Sequence, residues 1–213
     1  MEKETKETKD TQAKIMEAAL EEFAEKGKDG ARMQAIADRA GVNKALLHYY
    51  FHTKNDLHLA VIRSFFQSFV LRLCSKPPVN QDPETVVRLF VDTYMGMIQQ
   101  NPKFPRIMMR LLIAPGGLEG IKSEIFAAPD FEKLRTFLFG QIGALQALGH
   151  MGDVDPQAAL LSLLGSMIFY FIGRPVVSLV FPDITESEAG FERYKASLVT
   201  IFTRGFLSEG RQP

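Results

Sequence analysis

A chain of 213 residues with 46% hydrophobic side chains can hold one large domain, or a small domain beside a larger one, around a buried core. Its 25 basic and 25 acidic residues cancel, which excludes binding to nucleic acid through a global positive field; any such contact has to be local. Its single cysteine, Cys74, excludes an internal disulfide, and a small hydrophobe near a helix end competes there with a redox sensor.

The N-terminal segment MEKETKETKDTQ is polar and carries both signs of charge. It lacks the apolar run of a secretory leader, so a cytoplasmic protein is expected, its first residues a loose end or an arm on DNA. From Gln12 to Lys26, Ile15, Ala18, Ala19 and Phe23 share one face and predict an amphipathic helix. Ile36, Ala37 and Ala40 predict a short second helix, with Gly41 as its stop signal. Val42 fills the turn, and Asn43 is a suitable N-cap for a third helix. There Leu47 and Phe51 lie four apart on one face, while Lys44, Ala45, His48 and Tyr49 take the other. An apolar back, a basic and aromatic front and a small-residue turn are what a helix-turn-helix DNA reader requires.

Thr53-Lys54-Asn55-Asp56 reads as a capping box with Asp in the place of Glu. It opens a long helix through Leu57, Val61, Phe65, Phe69 and Leu73 that ends before Pro77-Pro78. Further helices are expected from about Asp82 to Gln100, Arg106 to Ile113 and Phe131 to Leu148, each closed by Pro or Gly. Asp155-Pro156 starts a nearly all-apolar helix, and a last one runs from about Ser187 to Leu207. The apolar run from Ala158 to Gly173 is shorter than the ~20 residues that span a bilayer, and Arg174-Pro175 interrupts it. A helix apolar on all sides is buried against protein, here its own core and a second subunit, so no membrane contact is expected. Strand alternation and repeats are absent, and the expected fold is all-α.

Phe23-Ala24-Glu25-Lys26-Gly27, Ile36-Ala37, Ala40-Gly41-Val42-Asn43, Leu47, Phe51, Thr53-Lys54 and Leu57 stand together at the spacing of one family's DNA-binding region. In this first quarter the chain resembles the TetR family of transcriptional regulators. Two departures alter contacts: His48 and Tyr50 stand where the family has Tyr and His, and Arg32 replaces the Thr common at the second helix's start. The resemblance implies a three-helix helix-turn-helix DNA-binding domain over residues 1–55 and a larger helical ligand-binding and dimerisation domain over 56–213. It implies a homodimer on double-stranded DNA, joined through the last two long helices, Ala158–Phe181 and Ser187–Leu207. It also implies a repressor on a palindromic operator, released by a small apolar or amphipathic effector. The apolar surplus of the first of those helices supports the dimer independently.

DNA contacts are expected from Arg32, Asn43, Lys44, Ala45, His48, Tyr49, Tyr50 and Lys54. Lys44 is placed for a base edge or phosphate, and Ala45 keeps the helix close enough for its methyl to meet thymine. Tyr49 offers a ring and a hydroxyl, His48 and Tyr50 suit phosphates, and the resemblance gives Lys54 a phosphate. A solvated surface side chain is the competing reading of each. Phe65, Phe69, Tyr94, Met95, Met108, Phe126 and Phe137 are material for an adaptable apolar pocket, although plain core is the stronger reading at helical spacing.

There is no Gly-rich phosphate loop, no Cys/His metal spacing and no Ser/His/Asp arrangement, and His150-Met151-Gly152-Asp153 is a lone His beside an Asp. No catalysis, metal or cofactor is expected. The competing function is a helical small-molecule-binding protein without sequence-specific readout. Balanced charge and the His48/Tyr50 exchange favour it; intact caps with Lys44 and Lys54 oppose it.

Overall fold

The computed structural model describes residues 2–75, 82–117, 119–122, 124, 127–149 and 155–206, and every regular element among them is helical. Helix α1 (Glu2–Gly30) begins in a run rich in Glu and Lys, strong helix formers, so the segment expected as a loose end is helical from Glu2. Its regular turns break at Gly27 (φ 71°, ψ 172°), a backbone state that glycine reaches without steric cost.

The next three helices begin and end where side-chain chemistry dictates. Helix α2 (Met33–Ala40) closes on Gly41 in the left-handed region (φ 66°), and the Val42 amide returns to Ala37 O at 3.0 Å. Helix α3 (Lys44–Tyr50) starts at Asn43, whose side chain accepts the Leu46 amide at 2.7 Å. Helix α4 (Lys54–Cys74) opens on a reciprocal box: Asp56 Oδ2 accepts from Thr53 N at 3.0 Å, and Thr53 Oγ1 from Asp56 N at 3.1 Å. Length and composition alone would let α4 cross a membrane, but Leu57, Ile62 and Leu73 on it are fully buried in protein.

Helix α5 (Pro83–Gln100) follows an Asp82 cap, then come α6 (Phe104–Ile113), the short α7 (Glu119–Ile121) and α8 (Pro129–Ala147). Asp155 caps α9 (Pro156–Ile172) by accepting the Gln157 and Ala158 amides at 2.8 and 2.9 Å. The apolar stretch expected as one helix to Phe181 is in fact two. After Gly173 the chain turns by 84° into α10 (Arg174–Val180). Pro175 has no amide to continue the ladder, and a Cβ on Gly173 would lie 2.7 Å from Phe169 O. Helices α11 (Pro182–Thr185) and α12 (Glu188–Phe206) complete the chain. Three long side chains pin this corner: Tyr170 donates to Ile184 O at 3.2 Å, Arg174 to Thr185 O at 2.8 Å and Arg193 to Asp183 O at 2.9 Å.

The chain forms two compact units, Met1–Ser68 with Arg106–Ala128, and Phe69–Pro105 with Pro129–Pro213. In the first, α1 packs on α2 and α2 on α3, around Ile15, Phe23, Ile36, Leu47, Leu57 and Ile62. Ile107, Leu111 and Ile121 complete that core from a distant part of the chain. In the second, α12 packs on α5, α9 and α11 around Val91, Met95, Met167, Phe191 and Leu198. There Tyr170 stacks on Tyr194 at 4.8 Å, and Lys195 bridges from α12 to Asp92 of α5 at 2.9 Å.

Candidate nucleic-acid interface

Helix α3 divides into two faces. Leu47 is 0% exposed and locks the helix onto the core, while Lys44, Ala45 and Tyr49 stand in solvent, Tyr49 at 75% exposure. An exposed tyrosine of that size forgoes the burial that usually stabilises an aromatic ring. Asn43 is exposed, but its oxygen is engaged as the N-cap. Tyr50 is half-buried, packs against the core and meets the Tyr49 ring edge-on at 5.3 Å. His48 places Nδ1 3.1 Å from His52 O; with that nitrogen protonated it donates, tying the end of α3 to the following loop. The two exchanged aromatics therefore fix the helix end, and Tyr49 is the aromatic left wholly exposed.

Lys54 is half-buried, and its ammonium donates to Asp29 O at 2.9 Å and Ala31 O at 3.1 Å. A cation on carbonyls at the end of α1 is favoured by the helix dipole, and this leaves one N–H for another acceptor. Lys54 thus couples the start of α4 to the end of α1. Arg32 is exposed at the start of α2, with extended backbone (φ −118°) and no side-chain cap of its own.

Glu22 is the residue that sequence reading passed over. It lies on α1, 1% exposed, 2.7 Å from Lys26 and 3.7 Å from Arg39. Its Oε1 stands 3.5 Å from the Arg32 amide, where a negative charge offsets the uncapped start of α2. Arg39, a basic residue close in sequence to α3, bonds to Glu21 and Glu25 as well, at 3.4 and 3.1 Å. Its charge joins α2 to α1 within this unit. The signal was present in Glu21, Glu22 and Glu25, acids at helical spacing on α1 opposite a lone arginine. Arg110 on α6 adds a bond to Glu25 O at 3.1 Å, beside the break at Gly27. His58, 5% exposed, meets the Phe23 ring edge-on at 4.9 Å, and burial pushes its pKa down to about 4.

The second unit holds a cleft of about 100 Å³ formed by α5, α8, α9 and α12, with Phe90, Phe137, Gln141, Leu163 and Phe202 in its walls. Of the residues expected to line a pocket, Phe137 is there. Phe69 is buried against Phe90 and Tyr94 at 6.0 and 5.8 Å, and burial pushes the Tyr94 hydroxyl up to about 12. Met95 is fully buried, Phe65 and Met108 belong to the first unit, and Phe126 lies outside the described residues, as does His150-Met151-Gly152-Asp153. Aromatic and methionine stripes mark which face of a helix is buried, not which neighbour it meets. Among the described residues no three His, Cys, Asp or Glu side chains gather at metal-binding distance. Cys74 is half-buried, and burial raises its thiol pKa, which disfavours the reactive thiolate.

The family described as bacterial regulatory proteins, tetR family, matches residues 15–61, from the middle of α1 into the first turns of α4. The transcriptional regulator RutR of Escherichia coli K12 is 25% identical over 195 residues, covering 90% of this chain and 88% of its own. The transcriptional repressor NicS of Pseudomonas putida is 28% identical over 181 residues, 84% of each chain. The Bacillus subtilis regulator FadR, solved in complex with stearoyl-CoA, shares the fold at a TM-score of 0.69 and 15% identity, over 91% of this chain and 98% of its own. A capped helix-turn-helix, a third helix with an exposed face and relatives that are regulators along nearly their whole length converge: residues 15–61 match the DNA-binding region of the tetR family, and the chain is a DNA-binding transcriptional regulator.

Proposed function

We propose that this protein is a cytoplasmic repressor that reads a palindromic operator as a homodimer and leaves it when a small apolar or amphipathic effector binds. The observation that carries the reading is the two-faced α3, with Leu47 wholly buried beneath and Lys44, Ala45 and Tyr49 exposed above. On that face Lys44 contacts a base edge or phosphate, Ala45 permits close approach, and Tyr49 supplies a ring and hydroxyl to bases or backbone. Arg32 and the remaining N–H of Lys54 meet phosphates. Asn43, His48 and Tyr50 hold the helix in register and contact the backbone from its ends. Residues 1–55 form the reading head, and 56–213 receive the effector and pair the subunits.

One head reads too few base pairs for specificity, so two half-sites about one helical turn (~34 Å) apart, or a multiple of it, are required. The dimer reading is supported by apolar side chains left in solvent on α9, α10 and α12: Leu161, Phe169, Val176, Leu179 and Ile201. Monomers seldom expose that much apolar surface along neighbouring elements. The effector belongs in the cleft lined by Phe137. A helical regulator of this fold solved with stearoyl-CoA supports an apolar ligand, and a relative named as a repressor supports the sign.

The test is selection of fragmented genomic DNA on the purified protein at two salt concentrations. A palindrome should be recovered, with affinity falling at a log–log slope of about −0.9 per phosphate neutralised. Absence of enrichment even at low salt would defeat the reading.

A further inference from the structure

The walls of the cleft are hydrocarbon except at one position. Gln141, on α8, is its polar lining residue, and every other lining side chain is aliphatic, aromatic or proline. Among the described residues no Lys, Arg, His, Asp or Glu lines it. A charged group carried between these walls would lose its hydration and meet no counter-charge, so the part of a ligand lodged here is uncharged. Gln141 Oε1 is itself screened from solvent and has no donor among the described residues. An acceptor left in that state is costly, and native proteins satisfy such groups with a partner, a water or a ligand.

We infer that the part of the effector lodged in the cleft is uncharged and apolar and bears one hydrogen-bond donor, a hydroxyl or an amide N–H, which it gives to Gln141 Oε1. This rests on the reading of the cleft as the effector site. The apolar body supplies most of the affinity through burial against Phe137, Leu163 and their neighbours. The donor supplies orientation and selectivity, because a site with an unpaired polar group discriminates against ligands that cannot satisfy it. The donor's own loss of water is offset only where the acceptor waits, which confines it to the Gln141 side of the cleft.

The test uses the full chain and two ligands of equal heavy-atom count, 1-octanol and heptyl methyl ether, titrated by calorimetry. The alcohol donates a hydrogen bond; the ether cannot. In the unaltered protein the alcohol should bind about tenfold more tightly than the ether. Gln141→Leu should erase that ratio, leave ether affinity unchanged and keep or raise the melting temperature, since it removes an unpaired acceptor. Leu163→Trp, which fills the cleft, should abolish binding of both. Equal binding, preference for the ether, or a preference that survives Gln141→Leu overturns the donor inference and leaves the cleft as the effector site. If neither ligand binds, or Leu163→Trp changes nothing, the cleft is not the effector site and the inference falls with it.

Discussion

At the scale of single residues, exposure and titration make the sharpest claims. Tyr49 and Lys44 stand exposed on the face proposed to read DNA, so Lys44→Ala and Tyr49→Ala should each remove about 1–3 kcal/mol of discrimination between operator and unrelated DNA. Fluorescence anisotropy on both DNAs measures this, and the dimer should remain intact in sedimentation. His58 makes a claim about pH. Its folded pKa of about 4 lies below the unfolded value of about 6.5, so between those values the unfolded chain binds the extra proton. The stability gained by keeping the ring neutral is complete above pH 6.5 and is withdrawn as pH falls toward 4, by up to ~3 kcal/mol. His58→Leu should flatten this part of the pH profile, as read from urea midpoints at pH 7 and pH 5. An unchanged difference between the two pH values would place the acid sensitivity elsewhere. This core histidine is one of three that the sequence places in or just after α3, and only burial beside Phe23 distinguishes it from His48 and His52.

Helices are the scale at which the sequence was most readable. Gly41, Asn43, the Thr53–Asp56 box and Asp155 each act within three or four residues, so local chemistry alone places them. Gly41 offers a clean measurement, because a Cβ there meets nothing within 4 Å. Gly41→Ala should therefore cost about 1 kcal/mol through its left-handed backbone alone, seen as a lower denaturant midpoint without a change in packing. What the sequence withheld depends on distant partners. The carbonyls that hold Lys54 lie 23 and 25 residues away, and Arg39 pairs with acids 14 and 18 residues away. The turn at Gly173 was hidden for another reason. A proline in the first turn of a new helix and a proline that merely stops one carry the same letters, and here α10 resumes at once. Phe137 shows the same limit at the cleft, since its helical spacing fits core and pocket alike.

For the whole molecule, the proposed pairing of subunits would decide whether two heads can act together. Leu179 is 83% exposed on α10 and carries no load in the monomer. Leu179→Glu should leave secondary structure untouched, shift the sedimentation equilibrium toward monomer and weaken operator binding by about 100-fold or more, since half-site affinities no longer combine. Retention of a dimer with full affinity would move the interface off α10. The core of the first unit has a different consequence, one that concerns how the protein is made. Ile107, Leu111 and Ile121 sit in the same cluster as Ile15 and Leu47, although more than a quarter of the chain separates them. A fragment ending at Ser68 would lack those three side chains. On the ribosome, a nascent head must therefore wait with part of its apolar surface uncovered until residue 121 has emerged from the exit tunnel. A chaperone that holds nascent chains would find its target in that interval, and translational pausing shortly before that point would lengthen the exposure.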